Sequence, residues 1–205
     1  MKRKIPCLCE NTFTVEVPEE IDLDTQGQYL EEIINGTFLN FTCTSCGKLH
    51  KPEFPITVLW PEKKLKFEVI PELDRMSFYY RKKEKGAPEE VIIGYQELAD
   101  RLRVYRDDLE PMAVESLKYY LFLKAEESNG DLEVSVWYQK KSPDALEFHI
   151  HGLKENSVAV SLLPLSVYEK TADDFKKHPK GELFSSLRHK NYLSVKNMML
   201  GGDIK

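Results

Sequence analysis

All four cysteines of this 205-residue chain fall in its first 46 positions, as two close pairs, Cys7-Leu8-Cys9 and Cys43-Thr44-Ser45-Cys46. The second pair has the spacing of a metal knuckle. Two intervening residues let both sulfurs face one ion at about 2.3 Å while backbone N–H groups point at them. Gly47, directly behind, permits the positive φ that such a turn uses. A β-rich unit of this size buries little surface and gains folding free energy from a metal staple. Cys7, Cys9, Cys43 and Cys46 are therefore read as thiolate ligands of one structural Zn²⁺.

Each rival reading meets a physical objection. Idle free cysteines have no reason to fall into two close pairs and nowhere else. A redox dithiol needs its first cysteine at a helix N-terminus to lower the thiol pKa. Here Gly47-Lys48-Leu49-His50-Lys51-Pro52 follows the pair, and Pro52 and Pro55 oppose a helix. An iron–sulfur cluster also takes four cysteines, and only the greater frequency of closed tetrahedral zinc sites favours zinc. The flanking Lys2, Arg3, Lys4, Lys48 and Lys51 would offset the double negative charge of a four-thiolate zinc site.

The chain is otherwise ordinary for a globular protein, 41% hydrophobic and 31% charged. Its net charge of -5, from 29 basic and 34 acidic residues, gives no electrostatic footprint for nucleic acid. No apolar run approaches the roughly 20 residues that span a bilayer. Met1-Lys2-Arg3-Lys4 has no apolar stretch behind it, so no secretory signal is read there. A cytoplasmic address is expected by default, and in a reducing compartment clustered cysteines read as metal ligands sooner than as disulfides.

Residue patterning divides the chain. Thr12 to Val17 alternates as a strand, and a short helix is expected after Thr25, with Thr25 and Gln28 as a capping box and Asn35-Gly36 as the stop. Ile56, Val58 and Trp60, then Leu65, Phe67 and Val69, predict a hairpin turning at Pro61-Glu62-Lys63-Lys64. Met76, Phe78 and Tyr80 suggest one more strand. The charged stretch Arg81 to Glu90, broken by Gly86 and Pro88, is the expected linker.

Beyond it come helices over Tyr95 to Arg103 and Pro111 to Glu127, the second ended by Asn129-Gly130. Strands follow over Leu132 to Tyr138, Leu146 to His151 and Val158 to Leu163. A helix opening with Ser166 and Glu169 ends at His178-Pro179, and a last one is expected over Asn191 to Leu200. The expected fold class is α+β: a β-rich zinc ribbon with an inserted helix over 1–85, then an α+β domain with a short antiparallel sheet over 88–205.

Pro6-Cys7-Leu8-Cys9, the strand Thr12 to Val17, Ile33-Ile34-Asn35-Gly36-Thr37-Phe38 and Phe41-Thr42-Cys43-Thr44-Ser45-Cys46-Gly47-Lys48 together resemble the CpXC domain family. This is a bacterial and archaeal group named for two cysteine pairs, and the resemblance spans Cys7 to Tyr80. It implies a zinc-binding domain and supplies no activity. The family has two residues between the cysteines of its first pair, whereas here only Leu8 intervenes. Alternate residues of an extended strand share a face and can still chelate. That leaves Cys7 and His50, four residues past Cys46, as candidates for the fourth donor.

Other features are weaker. His149 and His151 would share a strand face and could chelate a second metal, but Leu146, Phe148 and Ile150 would then leave them with Glu147 on the solvent face. Arg75-Met76-Ser77-Phe78-Tyr79-Tyr80-Arg81-Lys82-Lys83 mixes aromatic and basic groups as a single-strand nucleic-acid platform does, but in a chain acidic overall an edge strand running into the charged linker is the preferred reading. Tyr119, Tyr120 and Phe122 either lie buried or present an aromatic face to a partner. Asp107-Asp108 and Asp173-Asp174 read as solvated or capping acids. No phosphate loop, nucleophile elbow or His-Glu-x-x-His motif is present. The preferred function is a metal-stapled binding or adaptor module for a protein partner. The alternatives are a metal-dependent enzyme using His149 and His151, or a nucleic-acid-binding ribbon using the basic cluster from Arg81 to Lys85.

Overall fold

The computed structural model describes residues 1–81, 90–128 and 133–200. The protein is mixed α+β, with several sheets and seven α-helices among the described residues. It divides into two compact units, Met1–Ala99 and Asp100–Lys205. The division falls inside a helix; the expected linker residues 82–89, and Asn129-Gly130, lie outside the described residues.

The first unit begins with a hairpin, β1 (Lys2–Pro6) and β2 (Thr12–Glu16), whose register pairs Pro6 with Thr12. β3 (Glu20–Asp22) and α1 (Gln28–Ile34) follow. Thr25 does not cap α1. The Asp22 carboxylate instead accepts the N–H groups of Asp24 at 2.9 Å and Thr25 at 3.3 Å, forming a turn ahead of the helix. A second, very short hairpin joins β4 (Phe41–Thr42) to β5 (Leu49–His50).

The predicted long hairpin is present as β6 (Ile56–Trp60) and β7 (Leu65–Ile70). Ile56, Val58, Trp60, Phe67 and Val69 are buried, as one apolar face requires. β3 adds parallel to β6, and β8 (Glu90–Ile93), a strand not expected from the sequence, adds parallel to β7. β8 is short and nearly continuously apolar, which suits a parallel strand buried on both faces and leaves no alternation to read.

Met76, Phe78 and Tyr80 are not in a strand. They lie in α2 (Arg75–Tyr80). The two-residue alternation there is incidental to a helical one: Arg75, Phe78 and Tyr79 are buried, and Met76 and Tyr80 are exposed. Arg75 pairs with Glu72 and with Glu97, at 2.6 Å from the latter.

The helix α3 (Tyr95–Arg106) carries the division between the units. The second unit continues with α4 (Pro111–Ser128), then β9 (Ser135–Lys141), β10 (Ala145–His151) and β11 (Val158–Pro164), an antiparallel sheet in the order β11-β10-β9. α5 (Leu165–Lys177) begins behind Pro164, so Ser166 is not its cap. Leu117, Leu121, Val136, Tyr138, Leu146, Phe148 and Ile150 form the main core here.

α6 (Glu182–Ser186), β12 (Arg188–His189), β13 (Tyr192–Leu193) and α7 (Lys196–Leu200) complete the chain. The helix expected over Asn191 to Leu200 is therefore confined to its end. Buried charges claim the backbone before it: Arg101 Nη2 donates to Leu193 O at 2.7 Å, and Glu115 Oε2 accepts the Val195 N–H at 2.7 Å.

Candidate metal centre

The cysteines sit in the loops of the two short hairpins. Between β1 and β2, the Glu10 N–H donates to Cys7 O at 3.0 Å and the Cys7 N–H to Asn11 O at 2.8 Å. Glu10 takes a positive φ of 68° to close this tight turn. Between β4 and β5, the Cys43 N–H donates to Lys48 O and the Gly47 N–H to Cys43 O, each at 2.9 Å. Gly47 has φ 73°, the left-handed conformation expected of it. Beneath the hairpins, Ile5, Val15 and Val17 form a small core flanked by Phe13, Leu39, Phe41 and Phe54.

The two loops bring all four sulfurs together, each within 4.8 Å of every other. Cys7 Sγ is 3.5 Å from Cys46 Sγ, and Cys9 Sγ is 3.7 Å from Cys43 Sγ. No disulfide joins them. A regular tetrahedron with metal–sulfur bonds of about 2.3 Å has edges of about 3.8 Å. The spacing therefore fits a single tetrahedral ion. Cys7 and Cys43 are buried, while Cys9 and Cys46 face outward and Leu8 is 86% exposed.

The thiols are not equivalent. The N–H groups of Cys46 and Ser45 point at the Cys43 sulfur and hold its pKa down to about 6. At Cys9 the Asn11 N–H acts in the same direction, but hydrogen bonds with Cys46 and Cys7, together with burial, outweigh it and raise the thiol to about 12. Asn11 also points its side-chain amide at Cys43 Sγ, at 3.7 Å. A polar residue two places after Cys9 was the only sequence signal for that role.

His50 Nε2 lies 3.2 Å from Cys7 Sγ, with its ring edge-on to Phe13. Cys7 Sγ thus belongs to the four-sulfur group and is in contact with His50 Nε2. Arg3, expected among the charge-balancing residues, places its guanidinium over Phe54 at 5.9 Å.

Other sequence candidates are dispersed. His149 and His151 alternate with buried Phe148 and Ile150 on β10, and His149 Nε2 is 2.9 Å from Glu147 Oε1. Among the described residues the four cysteines are the one group of three or more metal-donor side chains close enough to share an ion. In the stretch read as an aromatic and basic platform, Arg75, Phe78 and Tyr79 are buried, while Met76 and Tyr80 are exposed. Asp107 is not simply solvated, since its Oδ2 accepts from the Tyr138 hydroxyl at 2.5 Å. Among the described residues no helix is long and apolar enough to cross a membrane.

The profile of the CpXC protein family matches residues 5–118 of this chain. The chain belongs to the CpXC family. The match runs beyond the stretch from Cys7 to Tyr80 that carries the resemblance in sequence, through α3 and into α4. An uncharacterized protein of Treponema pallidum (strain Nichols) is 28% identical over 218 residues, covering 95% of this chain and 97% of that protein. No solved structure matches.

Proposed function

We propose that this CpXC protein is a zinc-stapled binding module whose metal is structural and whose partner is another protein. The observation that carries the metal reading is the spacing of the four sulfurs, 3.5 and 3.7 Å across the two loops. Zinc suits the site because four thiolates supply a closed tetrahedron with no open position for a substrate. The ribbon reading follows: the two hairpin loops clamp one ion, with α1 inserted between them in sequence. Free thiols in such a cluster suit a reducing compartment such as the cytoplasm.

An exposed apolar strip supports a partner. Leu73, Met76 and Tyr80 recur at helical spacing on one side of the α2 region, and Leu73 is 96% exposed. Leu8 adds an apolar tip at the metal loop. The test is stoichiometric capture of one protein by the metal-loaded chain, lost with Cys43→Ser and with Leu73→Asp. Capture of RNA or DNA in its place would favour the nucleic-acid reading.

A further inference from the structure

The two cysteine loops differ in what they offer their sulfurs. In the Cys43 loop, the N–H that donates to Cys43 O, at 2.9 Å, is that of Gly47, four residues on, which leaves the N–H groups of Ser45 and Cys46 to the sulfur. In the Cys7 loop, which is one residue shorter between its cysteines, the N–H three residues on is that of Glu10. It donates to Cys7 O at 3.0 Å instead of to the sulfur. The short loop thus closes its turn with the donor that a knuckle would aim at the thiolate.

The opposite hairpin presents a side chain where that donor is missing. His50, on β5 and paired across the ladder with Phe41, sets Nε2 at 3.2 Å from Cys7 Sγ. Phe13, on β2, holds the ring edge-on with centroids 5.6 Å apart. The exchange runs both ways between the hairpins, since Asn11 of the first sends its amide to Cys43 Sγ of the second.

We propose that His50 donates an Nε2–H hydrogen bond to the metal-bound Cys7 thiolate, standing in for the backbone donor that the one-residue spacing withholds. The inference rests on the zinc reading above and adds a positioning residue to it. Four thiolates already close the tetrahedron, so His50 acts on the metal through Cys7. Such a donor draws charge from a site that carries two negative charges in excess and favours thiolate over thiol. A hydrogen bond of this kind to a metal ligand is worth about tenfold or more in metal affinity.

The test uses the full chain loaded with ¹¹³Cd²⁺ in place of zinc, with ¹⁵N-labelled histidine. The expected result is a protonated Nε2 on His50 whose proton shows spin coupling to the cadmium across the N–H···S bond. A four-thiolate cadmium signal with no such coupling overturns the proposal and leaves the zinc site standing. Direct one-bond coupling of His50 nitrogen to cadmium also overturns it, by making His50 a ligand. Failure to take up cadmium at all sinks both readings. As a second arm, His50→Phe keeps the ring against Phe13 and should weaken zinc binding about tenfold. His50→Gln, which restores an N–H donor, should recover most of the loss. Unchanged affinity in His50→Phe counts against the donor role, and a variant that fails to fold leaves the wild-type cadmium spectrum to decide.

Discussion

At the residue scale, the four cysteines were legible because their chemistry is local and their spacing is short. Cys43 and Cys46 announce a knuckle by sequence alone, and the structure brings the other pair to them. That Cys7 and His50 meet at 3.2 Å was not legible, because it depends on where one loop of the fold sets its side chains against another. The site makes an ordered prediction for ligand variants. Cys43→Ser and Cys46→Ser should lose stoichiometric zinc and unfold the cysteine loops, because removing a thiolate from a structural site removes folding free energy. Cys7→Ser should retain zinc better, because His50 Nε2 stands 3.2 Å from the lost sulfur and can take its place. Competition with a chromophoric chelator measures all three, and equal retention in the three variants contradicts the ordering.

At the element scale, period and burial agree for β6, β7 and β10, which the alternation of apolar residues predicts. They parted at α2, where six residues satisfy both an alternating and a helical pattern and only the burial of Arg75, Phe78 and Tyr79 decides. They parted again near the C-terminus, where distant charges govern the backbone. Asp100, Arg101, Glu115 and Lys118 are all buried together. Lys118 Nζ bridges Asp100 Oδ2 at 2.9 Å and Glu115 Oε1 at 2.8 Å, and Asp100 Oδ1 accepts the Tyr138 N–H at 2.6 Å. No local pattern reveals such a network, because each charge looks like one more surface residue on a helix.

Lys118→Met should therefore destabilise the protein by about 3–5 kcal/mol, since two carboxylates would be left buried with their shared cation gone. Denaturant unfolding measures this, and a loss below about 1 kcal/mol would mean the network is not a brace. The same network carries a pH dependence. Burial pushes the Glu115 carboxyl up, but Lys118 and Arg101 outweigh it and hold the group below its usual range. A depressed carboxyl contributes stability above its unfolded pKa and loses it as the pH falls. Burial holds Asp100 above its usual range, so it works the other way. Relative to wild type, Glu115→Gln should lose less stability on acidification, measurable as a flatter slope of unfolding free energy against pH. Elsewhere, Gly152→Ala should cost at least about 2 kcal/mol. Its φ is 90°, and a Cβ there would fall 2.1 Å from Glu133 O.

At the scale of the whole molecule, the cysteine cluster and the buried charge network lie in different compact units, Met1–Ala99 and Asp100–Lys205. We propose that each unit owes its stability to its own interior: the first to a metal, the second to its core and ion network. Chelator should then raise hydrogen exchange around Cys7–Asn11 and Cys43–His50 in the intact protein while leaving α4, β9 and β10 protected. Equal loss of protection in both would mean one cooperative body that zinc holds together. All of this stands on the claim that the four sulfurs share one ion. The most direct measurement is elemental analysis of the chain purified without chelator, paired with a thiol count before and after acid release. The account predicts about one zinc per chain and four thiols that become reactive on its release. A chain holding neither zinc nor iron, with its four thiols reactive from the outset, would contradict it.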